Sequence, residues 1–363
     1  MSRRRSILAL VLPLLLAAGV DPPAPPSEPS LAPVVAGHAL QFPRDHGSHP
    51  DFGIEWWYLT GWLSTAGHES LGFQVTFFRA RQTAADANPS AFAAHQLLIA
   101  HCDISDPTLG HLWQDQRIRR AGLGLAEARA SDTEVWIDDW RLQRDASGYH
   151  THVVAQDFSI ELDLQPTQPV LAQGDAGFSR KGPASTAASY YYSEPHLRVS
   201  GHISRGARRD AVSGEAWLDH EWSSQYLDPT AVGWDWVGLN LQDGGALMAF
   251  RIRDAAGGSY WASATTRDAA GKTRSFAPAE VQFVAARRWR SPRSGVIYPL
   301  SWQLRVGERL FDLEPLLDDQ ENDTRASSGT LYWEGAVRAR EGDQAVGRGY
   351  LELTGYDRPL TLP

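Results

Sequence analysis

The stretch "GEAWLDHEWSS", residues 214–224, alternates between two kinds of side chain. If it forms a β-strand, successive side chains point to opposite faces of the sheet. One face then carries Glu215, Trp217, Asp219 and Glu221, and the other carries Ala216, Leu218, His220 and Trp222. Neither set suits a plain solvent face or a plain apolar core, so the strand is predicted to border a cavity. A carboxyl group there would have a raised pKa and could act as an acid. A buried polar network that joins the strand to its neighbours is the structural alternative.

The rest of the chain shows the same two-residue alternation, which is typical of half-buried strands. Glycine-containing turns such as Gly244-Gly245 separate the alternating stretches. Residues 115–131 have some helical character, although their glycines weaken it. This pattern predicts an all-β fold of antiparallel barrels or sandwiches. The predicted strands include residues 71–81, 95–105, 134–143, 149–166 and 247–254.

A weak repeat indicates two similar β-domains. Trp57, Trp236 and Trp333 are each followed by a glycine and then by a strand-like run. A glycine in a strand lets an aromatic ring lie against the backbone. We place the boundary in the polar turn near residue 205. The predicted domains are residues 39–204 and residues 205–363.

The first 38 residues are predicted to lie outside the fold. Residues 1–19 have a basic start, a short apolar run and small residues, as in a signal peptide. Arg4-Arg5 fits a twin-arginine signal loosely, and ordinary Sec export fits as well. Residues 20–38 form a proline-rich linker. We therefore expect a periplasmic or secreted protein without a stable membrane span after cleavage of the signal.

Composition narrows the function. The net charge of −9 argues against nucleic acid as a partner. The single cysteine, Cys102, excludes an internal disulfide framework. The 14 tryptophans indicate aromatic-lined interiors or pockets. The sequence has no Gly-x-Ser-x-Gly nucleophile motif and no His-Glu-x-x-His motif, which makes a hydrolase the least favoured enzyme class.

The stretch "DHGSHPDFGIEWWYLTG", residues 45–61, raises the question of a metal site. His46, His49 and Asp51 could supply ligands, but their spacing matches no metal-binding motif. We therefore predict no metal, and interpret the stretch as a loop that covers the end of a barrel. The strand that follows places Glu55 and Trp57 on one face.

Acidic residues stand next to tryptophan at four places in the chain. A carboxylate beside tryptophan can simply accept a hydrogen bond from the indole N–H. Four such pairs favour an aromatic box with carboxyl groups in its walls. The four acids are Glu55, Glu221, Asp235 and Glu334.

Several motifs together resemble one superfamily, the carotenoid 1,2-hydratase (hydroxyneurosporene synthase) and AttH-like proteins. They are "FPRDHGSHPDFGIEWWYLTG", "GEAWLDHEWSS", "GWDWVGLNL", "YPLSWQL", "YWEGAV" and "GYLELTGY", which span residues 42–356. The resemblance implies two lipocalin-like β-domains packed side by side, with a ligand cavity in or between them. Members include isoprenoid hydratases, fungal cyclases that act on polyenes, and secreted AttH-type proteins, some associated with ABC transporters.

The resemblance also implies site residues. The hydratases resemble this chain in a His-x-Trp pair, here His220 and Trp222, and in a later acid near an aromatic residue. Asp235 is the first candidate for that acid, and Glu221, Asp219 and Glu334 are alternatives. Substrate-binding roles are expected for an aromatic and acidic set: Trp222, Trp234, Trp236, Trp57, Trp333, Glu55 and Glu334.

We therefore expect a cofactor-independent hydratase or lyase that protonates a C=C bond of a lipophilic, isoprenoid or polyene-like substrate. A neutral carboxylic acid supplies the proton, tryptophan faces stabilise the cation, and His220 orients the acid or the water. The alternatives are a non-catalytic periplasmic lipophile carrier that serves an ABC transporter, and a secreted hydrolase. Asp235→Asn or Glu221→Gln is expected to abolish turnover and to change ligand affinity by less than roughly tenfold.

Overall fold

The computed structural model describes residues 31–90 and 92–360. The predicted signal peptide and residues 20–30 of the predicted linker lie outside these residues. Residues 31–38 of that linker pack against the first sheet: Val34 is buried, and the Val35 N–H donates to the Tyr190 hydroxyl at 2.9 Å. In the described part of the chain, no helix is long and apolar enough to span a bilayer.

Most of the described chain forms two antiparallel sheets. The first is 13-stranded, with the spatial order β4-β3-β2-β1-β13-β12-β9-β8-β7-β6-β5, and β10 and β11 pair with β12. Its strands are β1 (Ile54–Thr65), β2 (Ser70–Arg81), β3 (Gln96–Asp106), β4 (His111–Arg120), β5 (Ala126–Ala128), β6 (Glu134–Ile137), β7 (Trp140–Asp145), β8 (Gly148–Val154), β9 (Phe158–Gln165), β10 (Leu171–Ala172), β11 (Phe178–Arg180), β12 (Ala188–Arg205) and β13 (Arg208–Gln225).

The second sheet is 10-stranded, with the order β17-β16-β15-β14-β23-β22-β20-β19-β18, and β21 pairs with β22. Its strands are β14 (Ala231–Leu241), β15 (Ala246–Asp254), β16 (Ser259–Arg267), β17 (Thr273–Phe276), β18 (Val281–Arg290), β19 (Ile297–Val306), β20 (Arg309–Pro315), β21 (Glu321–Thr324), β22 (Thr330–Glu341) and β23 (Gln344–Leu353). Short 3₁₀ turns cover Arg44–His46, Thr83–Ala85 and Pro278–Glu280.

Each sheet curls around its own apolar core. In the first sheet the two ends of the strand order lie close together: Arg117 of the edge strand β4 donates to the carbonyl oxygen of Ile137 at 3.3 Å, in β6, next to the other edge strand. Closing a sheet in this way removes exposed strand edges. The result confirms the predicted all-β fold, with two antiparallel barrel or sandwich units side by side. We call them the first and second barrels.

The helical character predicted for residues 115–131 is wrong. The stretch forms the end of β4, a turn and β5. Gly122, Leu123 and Gly124 all have positive φ angles, of 103°, 57° and 73°. Such angles are incompatible with a right-handed helix, and they reverse the chain so that Gly122 bridges to Ala126.

The chain crosses from the first sheet to the second between Gln225 and Ala231. Residue 205, where we place the domain boundary from sequence, ends β12 just before the turn into β13, and both strands belong to the first sheet. The described residues form one compact unit. The division into domains therefore stays a prediction.

The two barrels meet along a seam of large side chains. From the first barrel come Tyr58, Trp62 and Trp217, and from the second come Trp236 and Tyr350. All of them are buried. Because side chains alternate along each strand, the seam uses the residues that point away from the two barrel cores.

Gly61, the glycine that follows Trp57 in the repeat, is needed for close packing inside the first barrel. A Cβ atom there would lie 2.6 Å from the Phe73 ring and 2.7 Å from the Glu215 carbonyl oxygen. We expect Gly61→Ala to lower the free energy of unfolding by about 1–3 kcal/mol, because an extra carbon cannot be accommodated without backbone shifts. Urea unfolding measures the loss.

Gly67→Ala is the matched control, because a Cβ at Gly67 meets only the Thr65 hydroxyl at 3.7 Å. We expect it to change stability by less than about 0.5 kcal/mol. Equal effects of the two substitutions would contradict the packing argument.

Candidate functional site

A cavity of about 400 Å³ lies in the seam between the two barrels. Its walls are mainly aromatic and aliphatic, with carboxyl groups set into them. This size and lining suit a small lipophilic molecule, since ligand pockets span roughly 300–1,000 Å³. Its lining includes Trp56, Tyr58, His101, Asp219, Glu221, Tyr226, Trp234, Trp236, Tyr332, Glu334 and Glu352.

Strand register explains why these residues meet. In β1 and β13, Trp56 lies opposite Glu221 and Tyr58 lies opposite Asp219. In β22 and β23, Glu334 lies opposite Glu352. Directly opposed residues share a face, so the acids and aromatic rings line the same side of each sheet.

Glu334 is the acid with the most perturbed environment in the cavity wall. Burial, reinforced by the charges of Glu352 and Asp103, raises the pKa of Glu334 well above its usual value. Hydrogen bonds from the Tyr58 and Tyr332 hydroxyls to its carboxyl group oppose this shift without cancelling it. A carboxyl group in such a place is held in its neutral, proton-bearing form at neutral pH.

Asp103 is close enough to Glu334 for the charges of the two acids to interact. Burial raises the pKa of Asp103 from 3.8 to about 8. The unfolded chain releases this proton near pH 3.8, whereas the folded protein keeps it to about pH 8, so stability falls as pH rises between these values. We expect Asp103→Asn to remove this part of the slope. Urea unfolding at several pH values measures it. Parallel stability curves for the two proteins would contradict the prediction.

Asp219 braces one wall of the cavity. Burial raises the pKa of Asp219 to about 7. Its carboxyl group accepts hydrogen bonds from Tyr191 at 2.6 Å, Ser193 at 2.5 Å and the Trp217 indole at 2.7 Å. The Trp236 indole donates in turn to the Tyr191 hydroxyl at 3.0 Å. Asp219 thus fixes the orientation of two tryptophans at the seam.

Glu221 has a different partner, the buried amine of Lys181, whose Nζ lies 2.6 Å from its Oε1. Burial raises the pKa of Glu221, and the charge of Lys181 opposes this shift. Lys181 also lies against the rings of Tyr191, Tyr226 and Phe250, with its nitrogen 4.2–5.0 Å from the ring centres. The Lys181 amine thus supplies Glu221 with a buried counter-charge in the cavity wall.

Glu352 completes the acidic set and holds an aromatic wall. Burial raises its pKa to about 7, and it accepts a hydrogen bond from the Trp234 indole at 2.9 Å. Trp234 packs against Tyr226 in an edge-to-face arrangement with ring centres 5.7 Å apart. The electron-rich faces of such rings can stabilise a positive charge in a bound ligand.

A second polar network fills the mouth of the first barrel, on the opposite face of β13. His220 Nε2 lies 2.9 Å from Glu55 Oε1, and His49 Nδ1 lies 2.7 Å from the same oxygen. The Arg79 guanidinium donates to Glu55 Oε2 at 2.7 Å. Glu55 and Arg79 also border the cavity.

Charge complementarity holds this second network together. Burial alone would raise the pKa of Glu55, but the charges of Arg79 and His49 hold it well below its usual value. Burial alone would lower the pKa of His49, but Glu55 and Asp45 raise it. The pKa of His220 is lowered by burial. Two cations, His49 and Arg79, thus face two carboxylates, Asp45 and Glu55.

Three side chains of this network are close enough together to be possible ligands of a metal ion. One ligand atom each from His49, Glu55 and His220 lie within 4.8 Å of one another. Both ring nitrogens of His49 are directed at carboxylates, and Arg79 occupies the other oxygen of Glu55. A divalent cation would have to displace a proton from His49 and sit beside the guanidinium. These residues fit a hydrogen-bonded ion network better than a metal site.

The predicted site residues fall into two groups. The cavity is lined by Asp219, Glu221, Trp234, Trp236, Glu334 and Glu55. The other predicted residues lie inside the barrels. His220, Trp57 and Trp222 belong to the second polar network: Trp222 stacks on His49 with ring centres 3.7 Å apart, and Trp57 stacks on His220 at 4.7 Å.

Asp235 and Trp333 point into the second barrel. Asp235 is buried between Arg251 at 2.6 Å, Arg253 at 3.3 Å and the Tyr356 hydroxyl at 2.8 Å. Trp333 is part of the apolar core. The structure therefore brings Glu221, Asp219 and Glu334 together at the cavity and keeps Asp235 and His220 away from them.

Sequence reasoning missed three contributors to the site, namely Lys181, Tyr191 and Glu352. Lys181 follows β11, and only the pairing of β11 with β12 brings it to the seam. Glu352 could have been found, because "GYLELTGY" alternates and places Tyr350 and Glu352 on one face. No local pattern marks Lys181.

The fold and site define a class: two antiparallel β-barrels that enclose a lipophilic cavity at their junction. The chain belongs to the AttH-like family, whose model matches residues 33–356. An AttH-assigned protein of Nitrosomonas europaea is 54% identical in its crystal structure, with a TM-score of 0.85 over 90% of this chain and 100% of that chain.

Two further comparisons involve kievitone hydratase. The protein from Fusarium solani subsp. phaseoli is 22% identical over 208 residues, which cover 55% of this chain and 58% of that protein. The chain thus aligns with little more than half the length of that relative. The crystal structure of the enzyme from Nectria haematococca shares the fold, with 16% identity and a TM-score of 0.67, over 91% of this chain and 97% of that chain.

Proposed function

We propose that this protein is a hydratase or hydro-lyase that adds water to, or removes it from, a lipophilic alkene bound in the cavity between the barrels. The observation that carries the proposal is Glu334, a buried acid with a raised pKa in the aromatic wall of the cavity. The sequence relationship to kievitone hydratase supports the same reaction class.

Glu334 is the proton donor in this proposal. Protonation of a C=C bond requires a neutral acid that is shielded from bulk water. The burial of Glu334 provides such an acid. Its proton forms the new C–H bond with the π-electron pair, which leaves a carbocation on the neighbouring carbon. The faces of Trp234 and Trp236 stabilise that cation.

Glu221 is the base in this proposal. As a carboxylate held by Lys181, it accepts a proton from a water molecule while the water oxygen bonds to the cation. The product is an alcohol, Glu334 is left ionised and Glu221 protonated, and one proton must return from Glu221 to Glu334 to complete the cycle. Elimination of water is the same sequence in reverse.

The cavity favours a neutral substrate. Five carboxyl groups line it against two guanidinium groups, so an anionic ligand would meet more desolvated acids than cations. Its volume suits a drug-sized molecule, such as a phenol or terpenoid with an isoprenoid side chain.

Mass spectrometry tests this proposal directly. The purified chain is incubated in ¹⁸O-labelled water with kievitone and a panel of neutral isoprenoid alkenes, and the products are searched for the gain of one labelled water. Hydration of a panel member supports the proposal. Tight binding of the panel without any labelled product would instead favour the lipophile carrier predicted as an alternative.

A further inference from the structure

A row of hydrogen-bonded side chains leads from Glu334 along the cavity wall to a turn at the surface. Tyr332 lies two residues before Glu334 on the same face of β22, and its hydroxyl is hydrogen-bonded to the Glu334 carboxyl group. The same hydroxyl lies 2.9 Å from Nδ1 of His101. The other ring nitrogen of His101, Nε2, lies 3.0 Å from the Ser327 hydroxyl. We call Tyr332, His101 and Ser327 the wall triad.

The wall triad spans the seam between the barrels. His101 belongs to β3 of the first barrel, whereas Ser327 lies in the turn between β21 and β22 of the second. Gln116 of β4, directly opposite His101, holds this turn in place. Its amide nitrogen donates to the Asp323 carbonyl oxygen at 2.7 Å, and its side-chain oxygen accepts a hydrogen bond from Ser327 at 2.6 Å. Ser327 is thereby kept within reach of the His101 ring.

Burial decreases from one end of the row to the other. Glu334, Tyr332 and His101 are all buried. Ser327 is half-buried, and both of its neighbours in the turn, Ala326 and Ser328, are exposed. The row therefore joins an acid that protein atoms enclose to a hydroxyl that lies at the surface.

The hydrogen bonds of the wall triad can point in either direction. The Tyr332 hydroxyl has one proton and two partners, so it donates either to Glu334 or to His101. The Ser327 hydroxyl likewise has His101 and Gln116 as partners. Burial lowers the pKa of His101 to about 3, so its ring is neutral at neutral pH and has one N–H donor and one acceptor nitrogen. Such a ring can take up a proton at one nitrogen and release one at the other.

We propose that the wall triad returns a proton from solvent to Glu334 after each turnover. This role rests on the hydratase function proposed above, in which Glu334 loses its proton to carbon and Glu221 gains one from water. His101 and Tyr332 act through Glu334 and position its proton supply.

The transfer balances proton for proton. It starts from the tautomer of His101 with its proton on Nδ1. A solvent proton bonds to the Ser327 oxygen while the hydroxyl proton of Ser327 passes to Nε2. The Nδ1 proton passes to the Tyr332 oxygen, and the hydroxyl proton of Tyr332 passes to the Glu334 carboxylate. Glu221 releases its proton to solvent, and rotation of the hydroxyls with a half-turn of the ring resets the wall triad.

Nuclear magnetic resonance tests the wall triad without a substrate. In the full chain labelled with ¹⁵N-histidine, the His101 signals are those lost in His101→Gln. We expect a neutral His101 ring at neutral pH, and we expect Tyr332→Phe to shift its Nδ1 signal, because the hydroxyl that contacts this nitrogen is removed. A charged ring, or an Nδ1 signal that Tyr332→Phe leaves in place, would overturn the proposal.

Rapid-quench kinetics test the transfer itself, with the member of the alkene panel that the native chain hydrates fastest. His101→Gln keeps a donor and an acceptor but cannot pass a proton from one to the other. Because Glu334 already carries its proton at the start, the first turnover should keep the native rate. Later turnovers should be slower by about tenfold or more, since Glu334 must then be reprotonated.

Two further variants complete this experiment. Tyr332→Phe interrupts the row at the next residue and should give the same pattern, so the test does not depend on the folding of one variant. His202→Gln, at an exposed position of β12, is the matched control and should keep both rates.

The outcomes separate this proposal from the hydratase assignment. If Glu334→Gln abolishes the first turnover and His101→Gln changes first and later turnovers equally, the transfer role fails and the hydratase stands. If Glu334→Gln keeps the native first turnover, Glu334 is not the proton donor, and both proposals fail.

Discussion

Glu334→Gln is expected to lower the hydration rate by about 10²–10⁴-fold, the usual contribution of a positioned general acid. The amide keeps the shape of the side chain but cannot deliver a proton to carbon. Because aromatic burial carries most of the binding, we expect ligand affinity to change by less than about tenfold. Rates from labelled-water mass spectrometry and affinities from tryptophan fluorescence measure the two effects separately.

Glu308→Gln is the matched control, since Glu308 is exposed in the turn before β20. It should leave both quantities unchanged. The Glu334→Gln variant should also fold at least as well as the native chain, because it replaces a buried carboxyl group with a neutral amide. Native turnover by a folded Glu334→Gln protein would assign the proton to another acid, with Asp219 and Glu352 next to be tested.

The second large effect is expected at Arg79. Its guanidinium donates to Glu55, to the Gln96 side chain at 2.8 Å and to the carbonyl oxygens of His49 and Phe52 at 2.8 and 3.0 Å. Arg79→Met leaves the Glu55 carboxylate buried without its main counter-charge. Breaking a buried ion pair from one side typically costs about 3–5 kcal/mol, which is a large part of the stability of a folded protein. Urea unfolding at neutral pH measures the loss.

Arg81→Met provides the comparison two residues further along β2. Arg81 pairs with Asp86 at 3.0 Å, and both side chains are partly exposed. Such a pair contributes at most about 1 kcal/mol. If the two variants lost similar stability, the network at the mouth of the first barrel would not be the stabilising device that its geometry indicates.

Much of the fold was predictable, because half-buried strands alternate polar and apolar residues with a period of two. The same alternation decides which residues face the seam. The stretch 134–143 was predicted as one strand, but the structure divides it into β6 and β7 around a turn at Asp138, whose φ is 54°. Short turns of this kind depend on pairing with neighbouring strands, which one sequence does not display.

The sequence predicts which side chains share a face of a strand, but it does not predict which of these residues line the cavity. The alternation in residues 214–224 correctly placed Asp219 and Glu221 together and His220 and Trp222 on the other side. It could not indicate which face borders the cavity and which fills a barrel. Asp235 shows the same ambiguity, because it alternates with Trp234 and Trp236 and therefore points away from them, towards Arg251.

The two faces of β13 bear on how such a protein can diversify. Its odd-numbered residues from Trp217 to Glu221 meet the ligand cavity or brace its wall, whereas His220 and Trp222 close the first barrel. Mutations on one side of the strand can therefore be selected for new substrates while the other side keeps the barrel intact. A mutational scan of β13 should show activity and abundance responding at alternate positions.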